Sequence, residues 1–523
     1  MILGEKTEMN ITRRSFLAAA AATVGGGLLS CGAGVKRLPD DPFKLGVASG
    51  DPSPDGFVLW TRLALQPLEI GGGMGSRAIN VLWEVAEDDR FSKVLRTGDV
   101  VALPELAHGV HVELSGLAPD RPYWYRFRVG DHQSDVGRTR TAPPAGSSPA
   151  RVRFGVASCN SFQDGFFTAF DHMVREEFDL VFHVGDYIYE GPGDPKRVRH
   201  QLGPECTTLD LYRRRYAQYK TDEALQALHA AAPWVFTPDD HEVDNNWAGA
   251  IPELPKPGEP TVTTEDFLKR RAAAYQAMYE NMPLRLAARP LGPDMQLYRR
   301  LSWGRLADFF VLDTRQYRTD QPCGDGNKPP SPEVMDPKGT LMGAAQRDWL
   351  FDGLARSTAG WNVLAQQVMI ARVDRKPGDG ILYSMDQWPG YEFERRRLLK
   401  HLADRKIANA VALAGDIHTN WANDLIADFD GLDGRVVATE FVGTSISSGG
   451  DGVAKPKDLD LLLKDNPFVK FHNAERGYLT CEVDSKIFLT KYRTVPYVAK
   501  PGAPVNTRAS FVVEPGHPGL KQA

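Results

Sequence analysis

The feature that most constrains the fold of this chain is a short, largely apolar run that ends in a carboxylate. Residues 180–184 (Leu-Val-Phe-His-Val) are followed directly by Gly185 and Asp186. A run of this length that ends in a turn residue is typical of a strand buried inside a sheet. Ligands bind at the carboxyl ends of such strands in α/β proteins. We therefore expect Asp186 at the rim of a sheet, where its carboxylate can hold a metal ion.

Three further strand ends repeat this arrangement. Each is an apolar run followed by metal donors: 152–157 before Cys159, 234–236 before the acidic segment 239–246 (Asp-Asp-His-Glu-Val-Asp-Asn-Asn), and 411–414 before Asp416 and His418. One Gly-Asp pair after a strand is usually only a turn. Four strand ends that carry oxygen, nitrogen or thiolate donors instead predict a polynuclear metal centre.

Several other short motifs follow one another along the same chain. They are Asp51-Pro52, 59–62 (Leu-Trp-Thr-Arg), 185–190 (Gly-Asp-Tyr-Ile-Tyr-Glu), 313–318 (Asp-Thr-Arg-Gln-Tyr-Arg), 386–388 (Asp-Gln-Trp) and 440–448, from Glu440-Phe441 to Ser448. Together with the four strand ends, these motifs resemble the PhoD-like alkaline phosphatase family, of the metallophosphatase class. The resemblance covers nearly all of the chain after its first 35 residues.

The resemblance implies an α/β metallophosphatase-type double β-sheet sandwich flanked by helices. Before it we expect a small all-β domain, because residues 116–129 look like the turn and late strand of a fibronectin type III module. We expect this small N-terminal β-sandwich domain at 36–140, where short alternating runs are separated by turn residues. A proline-rich linker at 141–150 then leads to the catalytic domain at 151–523. Apolar periodicity predicts helices at 166–177, 211–232 and 264–281.

The resemblance further implies a site for Fe3+ and Ca2+. The candidate metal ligands are Cys159, Asp186, Tyr189, Asp240, Asn245, Asp416 and His418. Thiolate and phenolate groups are anionic donors that favour ferric iron, so we place Cys159 and Tyr189 on the iron. A neutral amide oxygen from Asn245 or Asn246 suits calcium. Which of Asp240, Asn245 and Asn246 bind a metal stays open.

The candidate catalytic residues are Asp186, Asp240 and His241. Hydrolysis of a phosphate ester needs a nucleophile and positive charge on the phosphoryl oxygens, and two or more metals supply both. His241 is expected to protonate the leaving group or to hold a phosphate oxygen. Cys159 has an alternative role as a nucleophile, but the ligand role is preferred because it needs no histidine partner. His183, within the buried strand, is expected either to contact a metal ligand from behind or to lie in the core, and not to bind the metal itself.

Other residues of these motifs are expected to have structural roles. Arg62, Arg315 and Arg318 are further candidates for phosphate contact, although such arginines more often make structural ion pairs. For Cys206 and Cys323, a disulfide bridge and free thiols are the two alternatives, because connectivity cannot be read from sequence.

We expect an exported, metal-dependent alkaline phosphatase that hydrolyses phosphomonoesters and phosphodiesters. The formal net charge is -5 and no long basic run is present, so the chain has no nucleic-acid-binding motif. One alternative is a cell-surface binding protein with a degenerate hydrolase domain. A serine hydrolase is a third hypothesis and ranks last, since residues 443–447 (Gly-Thr-Ser-Ile-Ser) lack the second glycine of a nucleophile elbow.

Residues 1–35 are expected to be an export signal. Arg13 and Arg14 precede an uncharged run at 18–29, which is the pattern that the twin-arginine export machinery reads. The run is short for a membrane span, and an anchor helix is the alternative. Cys31 ends a lipoprotein-like processing site (Leu-Leu-Ser-Cys) and is a candidate lipid anchor. We therefore expect a periplasmic or extracellular protein, either free or held to a membrane as a lipoprotein.

Overall fold

The computed structural model describes residues 38–255, 258, 260–430 and 434–523. The predicted export signal (1–35), with Cys31, lies outside these described residues. The described chain begins with strands that follow one another at short intervals: β1 (Val47–Ser53), β2 (Gly56–Arg62), β3 (Ile79–Ala86), β4 (Val94–Ala102), β5 (Gly109–Leu114), β6 (Pro122–Val129), β7 (His132–Gln133) and β8 (Gly137–Arg140).

The remainder of the chain mixes strands with helices. The strands are β9 (Arg151–Ala157), β10 (Leu180–His183), β11 (Trp234–Phe236), β12 (Arg299–Trp303), β13 (Ala307–Val311), β14 (Asn327–Lys328), β15 (Trp361–Ala365), β16 (Tyr383–Ser384), β17 (Ala410–Ala414), β18 (Asn420–Ile426), β19 (Val436–Val442), β20 (Val469–Asn473), β21 (Arg476–Asp484), β22 (Phe488–Val495), β23 (Asn506–Glu514) and β24 (His517–Gln522). The helices are α1 (Thr168–Val174), α2 (Leu209–Lys220), α3 (Glu223–Ala231), α4 (Thr264–Asn281), α5 (Gly343–Arg356), α6 (Glu392–Asp404) and α7 (Leu459–Asp465).

The helices follow the predicted periodicity with one break. The bounds of α4 are those predicted, and Thr263 caps its start by accepting the backbone N–H of Asp266. The single helix predicted at 211–232 is wrong, because Asp222 leaves the helix and caps α3 by accepting the N–H of Leu225. Among the helices of the described residues, none combines the length and the hydropathy needed to cross a lipid bilayer.

Two large sheets face each other across a shared apolar core. The larger runs in the order β24-β23-β22-β21-β9-β10-β11-β1-β2-β5, and the smaller runs in the order β12-β13-β15-β17-β19-β18-β20. Aromatic rings join the two sheets. The ring centroids of Phe154 and Phe309 are 5.4 Å apart, and those of Phe182 and Phe309 are 4.9 Å apart. This buried layer fixes how the two sheets pack.

The strands that carry the predicted ligands all end at the same edge. β9, β10 and β11 pair in parallel in the larger sheet, and β15, β17 and β19 pair in parallel in the smaller one. The sheets meet closely here, since a Cβ on Gly415 would lie 2.4 Å from the hydroxyl of Ser158. The carboxyl ends of strands from both sheets therefore converge, as ligand sites of α/β proteins require.

The strands of the predicted N-terminal domain (36–140) are divided between two sheets. One sheet has the order β4-β3-β6-β7, with β8 also paired to β6, whereas β1, β2 and β5 extend the larger sheet beyond β11. Gly50 of β1 is paired with Trp234 of β11, and a Cβ on Gly50 would lie 2.4 Å from the carbonyl oxygen of Pro283. The same Cβ would lie 2.8 Å from the carbonyl oxygen of Trp234, so the close approach of β11 and of Pro283 requires glycine at this position. Residues from both sides of the predicted boundary at 141–150 thus build one sheet, and residues 39–523 form one compact unit.

Candidate metal centre

Sharp backbone turns after the strands aim the predicted ligands at one place. Cys159, Asp186, Asp416 and His418 have positive φ angles of 59°, 56°, 66° and 55°. A residue other than glycine adopts this left-handed conformation at a cost of about 1–2 kcal/mol. Such strain persists only where the surrounding structure enforces it, and it concentrates at functional sites.

Four predicted ligands meet at the end of β10, and we call them the thiol cluster (Cys159, Asp186, Tyr189 and His418). Ligand atoms of Cys159, Asp186 and His418 lie within 4.8 Å of one another. The phenol of Tyr189 donates a hydrogen bond to Asp186 Oδ2 at 2.9 Å and lies 3.1 Å from His418 Nε2. Three separate segments of the chain thus bring a thiol, a carboxylate, a phenol and an imidazole to one point.

A second group, the carboxylate cluster (Asp239, Asp240 and Asp416), lies beside the first. Its ligand atoms also lie within 4.8 Å of one another, and Asp186 has the same relation to Asp240 and His241. Asp186 therefore belongs to the thiol cluster and also lies within reach of Asp240 of the carboxylate cluster. Asp239 is an addition that the sequence analysis did not select, although it directly precedes Asp240.

The protein itself disfavours full ionisation of these carboxyls. Burial raises the pKa of Asp186, holds the pKa of Asp239 well above its ordinary value, and raises the pKa of Asp416 to about 7. Asp240 differs, because burial opposes its ionisation but the charge of Arg315 holds its pKa below the ordinary value. Nearby positive charge would therefore favour the ionised form of Asp186, Asp239 and Asp416.

The thiol and the phenol behave in the same way. Burial, followed by the charge of Asp186, holds the pKa of Cys159 and the pKa of Tyr189 well above their ordinary values. A thiol or phenol in such a place is a weak nucleophile by itself. A bound cation reverses this effect, because it stabilises the deprotonated donor directly.

Oxygens without partners mark where a cation fits. Asp186 Oδ1, Asp239 Oδ2 and Asp240 Oδ1 are buried, and each lacks a hydrogen bond with the described part of the chain. Buried acceptors in native proteins are nearly always satisfied, so three in one place call for a ligand. Carboxylate oxygens together with a thiol, a phenol and imidazoles suit both a trivalent and a divalent cation. The residues present therefore fit the metals that the resemblance implies.

Arg315 is a fully buried cation at the centre of the acidic side chains. Its Nη1 and Nη2 donate to Asp386 at 2.7 and 2.8 Å, and its Nε donates to Asp239. The side chains of Asp240 and Asp416 lie 3.8 and 4.0 Å away. Every nitrogen of the guanidinium has a carboxylate partner, so the structural ion pair considered for Arg315 is the role that the structure shows. Its partner Asp386 lies in the motif 386–388.

The buried carboxylate of Glu190 fixes the orientation of the His241 ring. Glu190 Oε2 lies 2.7 Å from His241 Nδ1, and Glu190 Oε1 accepts the backbone N–H of Asn245 at 2.8 Å. The structure does not bring the side chain of Asn245 to the clusters, since its amide donates to Glu253 at 2.7 Å. Asn246 is closer, because its backbone N–H donates to Asp240 Oδ2 at 2.8 Å.

Glu242 ties together the two loops that carry the carboxylates. Its carboxylate accepts the backbone N–H groups of Asp186 at 3.1 Å, of Asp239 at 2.7 Å, and of Tyr187. Burial, followed by the charge of Asp186, raises the pKa of Glu242 to about 8. Glu242 is not among the predicted site residues, although it lies in the acidic segment 239–246. Its spacing from Asp239, three residues, is that of a local cap and was the available signal.

The remaining residues from the sequence analysis lie outside the clusters. Arg62 donates to the carbonyl of Ala107 and to Asn281, and Arg318 donates to Asp386 at 2.7 Å. His183 is buried and lies 2.7 Å from Asn160. The cysteines of the described residues are all free, so Cys206 and Cys323 form no disulfide here.

Two facing sheets with clustered carboxylates, a thiol and imidazoles at their common edge define a metal-dependent hydrolase. Residues 154–492 match the PhoD-like phosphatase family, and residues 30–143 match the N-terminal domain of PhoD-like phosphatases. The chain therefore belongs to the PhoD-like phosphatase family, and its activity is that of a phosphoric ester hydrolase.

A curated relative and a solved structure also place the chain in the PhoD-like phosphatase family. The chain is 50% identical over 486 residues to Alkaline phosphatase D of Bacillus subtilis (strain 168). These aligned residues make up 92% of this chain and 82% of the relative. A solved structure, described as "Structure of PhoD", superposes with a TM-score of 0.90 at 49% identity, covering 93% of each chain. The family resemblance predicted from the sequence motifs is confirmed.

Proposed function

We propose that this protein is an exported alkaline phosphatase that hydrolyses phosphomonoesters and phosphodiesters with Fe3+ and Ca2+. The observation that supports it most is the position of Asp186 in the thiol cluster and beside Asp240 of the carboxylate cluster. The thiol cluster, with two anionic donors besides its carboxylate, suits Fe3+. The oxygen-only carboxylate cluster suits Ca2+. In this assignment Asp416 serves the calcium site, and Asp239 joins Asp240 there in place of Asn245.

When bound, the metals would supply an acidified attacking water and positive charge opposite the phosphoryl oxygens. The protein's own side chains orient the group that donates a proton to the leaving oxygen. Glu190 fixes Nδ1 of His241, which leaves Nε2 as the atom that can donate a proton to the leaving oxygen. Burial alone would lower the pKa of His241, but the charges of Glu190, Asp240 and Asp186 raise it well above its ordinary value. The charge of Glu190 thus favours the protonated imidazole, which is the form that a general acid needs.

We assign the fold to the metallophosphatase-type double β-sheet sandwich, with a fibronectin type III-like domain at 36–140, a linker at 141–150 and the catalytic domain at 151–523. The two facing sheets support the first part of this assignment. The separate sheet β4-β3-β6-β7 supports the second. β1, β2 and β5 then join the small domain to the catalytic sheet.

Export by the twin-arginine route, to the periplasm or the exterior, is the location that fits this chemistry. That route carries folded protein, so the metals can be loaded before export. Replacing Arg13 and Arg14 by Lys should leave active enzyme in the cytoplasm, as measured by cell fractionation. Replacing Cys31 by Ala should release any membrane-held enzyme. Unchanged export of the Lys variant would show that the signal was misread.

The function is tested by metal analysis of the purified protein together with hydrolysis of para-nitrophenyl phosphate and bis(para-nitrophenyl) phosphate. We expect iron and calcium, hydrolysis of both substrates, and a visible absorption band from the iron. A calcium chelator should abolish activity reversibly while the band persists. Activity with only zinc and magnesium would overturn the metal assignment, and metal-free protein that binds ligands without hydrolysis would favour the binding-protein alternative.

A matched pair of variants places the iron. Cys159→Ala should lose the visible band and the iron, because it removes a donor of the thiol cluster. Cys481→Ala removes another buried free thiol, which lies 3.5 Å from the hydroxyl of Thr490. It should leave both iron and band unchanged. Loss of iron in both variants would indicate general destabilisation and would not support the proposed ligand.

A further inference from the structure

We propose that Arg375 binds the phosphate group of the substrate and gives the enzyme a preference for phosphomonoesters over phosphodiesters. This inference rests on the proposed hydrolysis of both ester classes. Arg375 is partly buried. Its guanidinium has neither a hydrogen bond nor an ion pair with any residue in the described part of the chain. A partly desolvated cation without a counter-charge is unfavourable, so an anion from solution is its expected partner.

Arg375 lies on the side from which solvent reaches the metal centre. The side chains of Asp186, Asp239 and Asp240 are 2%, 0% and 3% exposed, whereas those of Asp416 and His418 are 18% and 34% exposed. The side chain of His241 is 20% exposed, so the opening of the site is lined by Asp416, His418 and His241.

The contacts of Arg375 place it at this entrance. Its Cζ lies 5.3 Å from the ring centroid of Trp421, which follows His418 by three residues. Trp421 is itself buried and fixed, because its Nε1 donates to Thr419 at 2.7 Å. Burial lowers the pKa of Arg375, and Asp416 is the carboxylate whose charge opposes that shift. The cation is thus stacked on a rigid ring and lies within the electrostatic reach of the carboxylate cluster.

The other arginines around the site are already engaged. Arg315 and Arg318 share Asp386. Arg476 donates to the carbonyl of His418 and, at 2.8 Å, to the hydroxyl of Ser445. These three fix the loops that carry the ligands. Arg375 differs from them because its donors are left for a ligand.

The loop that carries Arg375 is held in place. The backbone N–H of Arg375 donates to the carbonyl of Leu382 at 2.8 Å, and Leu382 donates to Asp374 Oδ1 at 3.0 Å. The N–H of Asp374 in turn donates to Asn466, next to the end of α7, at 2.7 Å. Such a closed loop presents the guanidinium at a fixed place, which reduces the entropy lost on binding.

The chemistry of the two ester classes gives the preference. A guanidinium recognises phosphate best through two parallel hydrogen bonds to two free oxygens. A phosphomonoester has one more unesterified oxygen and one more negative charge than a phosphodiester. Arg375 can therefore use an oxygen that in a diester carries the second alcohol. Its contribution should be larger for the monoester and for inorganic phosphate, the product.

The test compares kcat/KM for para-nitrophenyl phosphate and bis(para-nitrophenyl) phosphate in the metal-loaded enzyme. Arg375→Met should lower kcat/KM for the monoester by about 10- to 100-fold, the range expected for hydrogen bonds to a charged group, and should lower that for the diester less. The inhibition constant of inorganic phosphate should rise in parallel with the loss for the monoester. Arg375→Lys, which keeps the charge without the fork, should recover part of both.

Lys376→Met is the matched control, since Lys376 is the next residue, is exposed, and carries the same charge. It should change both substrates by the same small factor. Equal losses on both substrates in Arg375→Met, or an unchanged ratio in Arg375→Lys if the Met variant does not fold, would overturn the proposal. A wild-type enzyme inactive on both esters would instead refute the proposed function, so the two failures are distinguishable.

Discussion

Removing the metals should make the stability of this protein fall as the pH rises. Without a cation, burial raises the pKa of Asp186, Asp239 and Asp416 in the folded protein. In the unfolded chain the same carboxyls ionise near pH 4, at about their ordinary values. Above that pH the folded protein holds more protons than the unfolded chain. The free energy of unfolding therefore decreases with pH until the folded-state pKa is passed.

Asp416 sets the scale of this effect. Raising its pKa from 3.8 to about 7 lowers the free energy of unfolding by roughly 4 kcal/mol once the pH is above 7. Glu242, with a pKa of about 8, extends the decrease to higher pH. The total stability of a typical domain is about 5–15 kcal/mol, so the loss should be easy to measure. A bound cation favours the ionised carboxylates and should abolish the decrease.

The assay is urea unfolding followed by tryptophan fluorescence at pH 5, 7 and 9, with and without chelator. The chelated protein should lose stability over this range, whereas the metal-loaded protein should not. Asp416→Asn is the control, because an amide cannot ionise. Part of the loss from Asp416 has already occurred at pH 5, so between pH 5 and 9 the chelated variant should show a decrease smaller by about 3 kcal/mol than that of the chelated wild type. Equal stability of the chelated wild type at pH 5 and 9, or an unchanged slope in Asp416→Asn, would refute the reasoning.

Three further changes test the site. Asp186→Ala should lose metal and reduce kcat by several orders of magnitude, because it removes the shared ligand; near-normal turnover would remove Asp186 from the site. Tyr189→Phe should shift or weaken the visible band, whereas Tyr187→Phe, which alters a phenol bonded to His229, should leave the band unchanged. Glu242→Ala leaves the backbone N–H groups of Asp186, Tyr187 and Asp239 without an acceptor, so it should lower the free energy of unfolding in urea by about 1–3 kcal/mol. It should also weaken metal retention. Glu242→Gln should have smaller effects on both. Equal retention of metal by Glu242→Ala and wild type would contradict the role of that residue as a clamp.

Sequence patterns predicted those site residues that lie directly after an apolar strand in the chain. The apolar runs of β9, β10 and β17 and the polar residues after them are visible within a few residues, so Cys159 and Asp186 could be named in advance. The ion pair of Arg315 with Asp386 joins residues far apart in the chain, and no local period reports such a contact. The role of Glu242 depends on three backbone N–H groups from two loops, which only the folded geometry brings together.

The same limit applies to the fold. A strand pattern shows that a segment is extended but not which strand it pairs with, so the division of β1–β8 between two sheets could not be read from 36–140. The break between α2 and α3 was readable, since Thr221-Asp222 is a helix-start signal within the apolar periodicity.

The sheet that β1 shares with β11 also bears on how such proteins evolve. The two matched segments, 30–143 and 154–492, look like separable modules on the linear chain. A gene that began at residue 151 would nevertheless encode a sheet ending at β11, with Trp234 and a row of backbone groups left open to other chains. Loss of the first segment without the second would expose this edge, which favours aggregation. Selection should therefore pass the two segments on together, as one heritable unit.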